Sequence, residues 1–87
     1  MITNLTQAFD KYPRLKTLVP PIKDGRMVIQ MNDLTSMCDE EFRCFILMPY
    51  NYIVSKKILQ YIGDRMNSLS IEHTKKVDEK SIITNLN

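Results

Sequence analysis

Apolar residues recur along this chain with two different spacings, and the changes between them mark out its elements. Leu5, Ala8, Phe9 and Tyr12 stand at i, i+3, i+4 and i+7, one face of a short helix. Asn4 suits its N-cap, with Gln7 three positions later, and Pro13 predicts its end because a residue before proline avoids helical geometry. Pro20 and Pro21 remove two consecutive backbone donors, which limits Leu18 to Ile22 to an edge strand. Asp24-Gly25 reads as a hairpin turn, and after it Met27, Ile29 and Met31 alternate with Arg26, Val28 and Gln30. That alternation predicts a strand over 26–31.

From Phe42 to Met48 the chain is apolar on both alternating faces apart from Arg43, and Pro49 stops the run. Its length and its Phe and Ile content favour a central strand, whereas Asp39, Glu40 and Glu41 suit the first turn of a helix. A helix is the clearer reading from about Tyr52 to Asn67. Val54, Ile58, Leu59, Ile62, Met66 and Leu69 share one broad face of the wheel, opposite Lys56, Lys57, Gln60, Asp64 and Asn67. Gly63 on its side suggests the close approach of another backbone. Leu69, Ile71 and His73 then alternate weakly at strand period. In the tail, Asp78 suits the cap of a last helix, with Val77 and Ile82 at the spacing of a hydrophobic staple.

The architecture these elements favour is α+β: a small, mainly antiparallel sheet packed against one main helix, with a short N-terminal helix and a C-terminal arm over 77–87. A mostly α domain with 33–48 helical is the alternative. With 87 residues, the chain has room for a single domain and one core. A chain of this size buries only about 60–65% of its unfolded surface, so association with a copy of itself or with a partner would stabilise it.

Composition narrows the function classes. Apolar residues make up 44% and charged residues 25%, which places the chain among folded domains. A formal charge of +2 is too small to point to nucleic acid or a membrane surface without clustering. No apolar run approaches the roughly 20 residues of a membrane span. Asp10, Lys11, Arg14 and Lys16 interrupt the region where a signal peptide would be apolar. Cys38 and Cys44 are then expected to be free thiols in a reducing, cytoplasmic setting. Abundant Ile, Lys, Asn and Met, with glycine only at positions 25 and 63, suit an AT-rich genome such as that of a phage or virus.

Candidate chemistry is sparse. Cys38 or Cys44 with His73 would be needed for nucleophilic catalysis, but neither cysteine has a nucleophile's flanking residues. The same three residues fall short of the usual four zinc ligands and lack close pairing in sequence. No metal, no cofactor and no enzymatic activity is expected. Lys56 and Lys57 at the start of the main helix, with Tyr50 and Tyr52 just upstream, make a candidate site for an anionic small molecule or nucleotide. The plain alternative is a solvated helix face with core tyrosines. Val77, Ile82, Ile83 and Leu86 form a candidate interface, being too apolar for an idle tail and too short a helix to hold its shape alone. The expected function is therefore a small regulatory or inhibitory protein that binds a partner protein and forms a homodimer. Nucleotide or small-ligand binding is the second reading.

Overall fold

In the computed structural model, which describes residues 2–22 and 25–71 and the backbone of 82–86, the first helix follows its sequence signals. Helix α1 spans Leu5–Lys11, and the Asn4 side chain accepts the Gln7 amide at 2.9 Å. Pro13 then opens a 3-10 helix, Pro13–Leu18, at the position where a missing N–H is least costly. This turn buries Leu15 and Leu18 in the core, and the edge strand expected over 18–22 does not form. Nor does the hairpin: Gly25 donates to the Ile22 carbonyl at 2.8 Å without adopting the positive φ that the turn type requires. Asp24 lies outside the described residues.

Strand β1 is short, Arg26–Val28, because the residues after it are committed to capping. The Gln30 amide donates to the Asp33 carboxylate at 2.9 Å, which starts α2, Met31–Thr35, where the alternation predicted more strand. The run over 42–48 is a helix, α3, Asp39–Leu47, and not a strand. Its acidic first turn, Asp39, Glu40 and Glu41, is the signal that decided the matter, since carboxylates there complement the helix dipole. Phe42, Phe45 and Ile46 are buried at helical spacing, while Arg43 and Leu47 form the outer stripe. A helix buried over most of its circumference leaves the same unbroken apolar run as a central strand.

The main helix begins later than its periodicity suggested. Asn51–Ser55 forms β2, with Tyr52 and Val54 buried in strict alternation, and α4 runs from Lys56 to Ser68. Ser55 ends the strand and caps the helix by accepting the Ile58 amide at 3.2 Å. Ile58, Ile62 and Met66 supply its buried stripe. A Cβ added at Gly63 would meet nothing within 4 Å, so among the described residues no other backbone approaches it. Of the weak strand pattern after α4, Leu69 to Ile71 turn back on the helix end, where Ser70 adopts φ 57° and the Ile71 amide returns to the Met66 carbonyl at 2.8 Å, and His73 lies outside the described residues.

The result is a small mixture of helices and strands whose sheet is parallel, not antiparallel. Met27 pairs with Tyr52 and Val28 with Ile53 in parallel register. The intervening residues hold α2 and α3, enough chain for the crossover that a parallel pair demands. The backbone of Ile82–Leu86 forms β3 on the other edge of β2, again parallel, giving the order β1-β2-β3. Ile82, Ile83 and Leu86 thus belong by backbone pairing to this chain's own sheet and not to a helical arm; Val77 and Asp78 lie outside the described residues.

Two charged side chains pin the helices around the core. Arg65, on α4, donates to the Leu34 carbonyl at 2.9 Å and the Met37 carbonyl at 2.7 Å, and its guanidinium lies 4.7 Å from the centre of the Phe42 ring. It thereby ties α4 to the turn that follows α2, where the Leu34 carbonyl also accepts the Met37 amide at 3.2 Å. Glu41 is buried at the start of α3 and accepts two hydrogen bonds from Arg14, at 2.8 and 3.3 Å, tying the 3-10 helix down. Among the described residues no buried side-chain nitrogen or oxygen lacks a partner.

Candidate functional site

Because α3 is a helix, Glu40, Arg43, Cys44 and Leu47 come to one side of it, at i, i+3, i+4 and i+7. That side faces α1, where the small Ala8 is buried and lets the two helices approach. The N-terminal residues Ile2 and Leu5 and the chain exit at Pro49 close the remaining sides. A groove of about 520 Å³ results, lined by Ile2, Leu5, Ala8, Cys44, Leu47 and Pro49, with Glu40 and Arg43 as its charged members. Its lining is mostly apolar with few polar groups. Leu47 is 61% exposed at its mouth, an unusual position for a leucine in the middle of an apolar run.

The two charges differ in availability. The Glu40 carboxylate is 2.6 Å from the Lys11 ammonium and accepts the Tyr12 hydroxyl at 2.5 Å. Lys11 first, then Tyr12, hold this carboxyl below its usual range, while Glu40 in turn raises the Lys11 ammonium. Arg43 has one guanidinium nitrogen on the Leu69 carbonyl at 2.7 Å, and among the described residues it pairs with no carboxylate.

Cys38 stands at the N-cap position of α3, exposed, with its sulfur 3.5 Å from the Tyr12 oxygen. The Tyr12 hydroxyl and then the Glu41 amide hold its thiol below the ordinary cysteine value. Cys44, buried six residues later, has its thiol pushed up by burial and by the Glu40 charge. Iodoacetamide under native conditions is therefore expected to add a single label, at Cys38, with Cys44 labelled only in denaturant. The rate should rise with pH through a midpoint below that of a free cysteine. Peptide mapping that finds both cysteines labelled at equal rates would contradict this picture.

The residues picked for an anionic ligand are not gathered in one place. Lys56 and Lys57 are exposed at the carboxyl end of β2, on the first turn of α4. Tyr50 precedes the other end of the strand, about 17 Å away along its length at the usual rise per residue, and packs partly against the core. Tyr52 is 2% exposed, stacks on Phe45 at 5.3 Å between ring centres, and donates its hydroxyl to the Leu18 carbonyl at 2.8 Å. Burial raises its phenol well above the ordinary value. Both tyrosines thus fit the core reading that the sequence carried beside the ligand one. The lysines alone remain on the surface.

The groove was missed because it depends on two assignments at once. With 42–48 read as a strand, Cys44 and Leu47 point to opposite faces; with Asp39–Leu47 a helix, they form one stripe with Glu40. Among the described residues no cluster of histidine, cysteine and carboxylates is placed to hold a metal, and no helix is long and apolar enough to cross a membrane. His73 lies outside the described residues. No family model, curated protein or solved structure matches this chain.

Proposed function

We propose that the protein is a small regulatory or inhibitory interaction protein that works by binding a partner protein through the groove between α1 and α3. The observation that carries this reading is the exposed Leu47 beside about 520 Å³ of mostly apolar groove. An apolar anchor from a partner gains free energy in such a place by leaving water, and a few buried side chains supply most of the affinity of an interface. The test is affinity capture from cells that express the protein, with wild type and Leu47→Asp compared side by side. The substitution touches solvent and should lower the melting temperature only slightly, while the partner held by wild type is lost. Equal capture by both proteins would remove the groove from consideration.

The parallel sheet favours a second reading of another class, binding of an anionic small molecule or nucleotide. Ligands of open parallel sheets bind outside the carboxyl ends of the strands, where the following helices begin. Lys56 and Lys57 stand at that end of β2. If this reading holds, a nucleotide that raises the melting temperature of wild type loses its effect on the Lys56→Glu, Lys57→Glu double variant, whose fold persists because both side chains are solvated. An undiminished shift would place the ligand elsewhere.

A further inference from the structure

The groove also carries information about what it takes, and this inference rests on the partner-binding reading above. Its charges do not cancel. Glu40 is already held by the Lys11 ammonium at 2.6 Å and the Tyr12 hydroxyl at 2.5 Å. Arg43 spends one nitrogen on the Leu69 carbonyl at 2.7 Å and has no carboxylate partner among the described residues. That single bond does more than leave the group available. It anchors the guanidinium at the end of α4, and among the described residues its remaining N–H donors have no partner. A cation held in place beside an apolar surface is the arrangement that recognises a carboxylate attached to an apolar body.

We infer that the partner of this groove presents a peptide segment in which an aliphatic side chain lies next to an aspartate or glutamate. The aliphatic side chain packs between Leu5, Leu47 and Pro49, and the carboxylate pairs with Arg43. Charge complementarity sets the sign of the recognised residue. A segment with a lysine or arginine in that place meets Arg43 and is rejected by repulsion. Glu40 does not offset this, because its charge is engaged within the chain.

The test uses a phage-displayed library of random dodecapeptides, panned in parallel on wild type, Arg43→Glu, Arg43→Gln and Leu47→Asp, each first shown by circular dichroism to be folded. Wild type is expected to enrich peptides with an aliphatic residue beside Asp or Glu. A fluorescein-labelled peptide from that set should bind Arg43→Glu at least tenfold more weakly and Arg43→Gln several-fold more weakly, with the wild-type affinity falling as salt is raised. Arg43→Glu should instead enrich Lys or Arg beside the aliphatic residue. If Leu47→Asp abolishes binding while all three Arg43 forms select the same peptides, the groove binds apolar segments without regard to charge; the carboxylate assignment is overturned and the partner-binding reading survives. If peptides selected on wild type bind Leu47→Asp unchanged, both fail. Failure to enrich any peptide, tighter binding of decanoate than of every selected peptide, or a dimer by light scattering that Leu47→Asp dissolves would each overturn the inference, the last by showing a second copy as the occupant.

Discussion

Phe42→Ala is expected to remove about 3–5 kcal/mol of stability, the usual cost of emptying a buried phenylalanine site. Phe42 is completely buried in α3, with the Phe45 ring 6.2 Å away and the Arg65 guanidinium over its face at 4.7 Å. Truncation leaves a cavity that these neighbours cannot close, because Arg65 is tied to the Leu34 and Met37 carbonyls and cannot swing inward. Small domains have about 5 kcal/mol or little more to lose, so a large part of the variant should be unfolded at 25 °C. Urea titration followed by far-ultraviolet circular dichroism measures the loss. Phe42→Leu, which keeps most of the volume, should cost far less. A loss below about 1 kcal/mol for the alanine variant would mean that this ring is not at the centre of the core.

The second large effect is expected at Ile62, in the middle of α4. It is 2% exposed on the buried stripe that also holds Ile58 and Met66, and Ile62→Ala should cost about 2–5 kcal/mol. Gln60 is the control on the outer face. Among the described residues its side chain makes one hydrogen bond, to Asp64 at 2.9 Å, a spacing worth only about 0.2–0.5 kcal/mol on a helix surface. Alanine's better helix propensity offsets part of that, so Gln60→Ala should stay within about 0.5 kcal/mol of wild type. Thermal melts compare the two directly, with about 4–8 °C expected per kcal/mol for a domain of this size. Equal shifts would show that α4 is rotated about its axis relative to the core.

Much of the local structure was legible along the chain. Asn4 and Gln7 announced α1 and Pro13 its end, because capping and proline geometry depend on residues within one turn. Ile62 and Met66 were assigned to the core from helical spacing alone, and both are buried. Tyr52 and Val54 were misread as part of the same helix, since both spacings fit a junction where a strand runs into a helix without a loop. The 42–48 segment was misread for a related reason. Once an element is buried on nearly every side, its hydrophobic residues no longer distinguish a period of two from a period of 3.6, and only the acidic turn ahead of it kept the information.

What the sequence by itself determined were the elements whose signals are local: the Asn4 cap, the proline stops, the buried stripe of α4 and the pair of surface lysines. Whether β1 and β2 ran parallel or antiparallel was decided by the tertiary structure, because direction follows from the crossover through α2 and α3 and leaves no trace in either strand. The tertiary structure also decided which charges are paired among the described residues. Glu40 is engaged by Lys11 and Tyr12, residues 29 and 28 positions earlier, while Arg43, three residues on, is left facing the groove. Nothing in the order of residues separates the two, since the difference lies in which side chains from α1 come within reach once the helices pack.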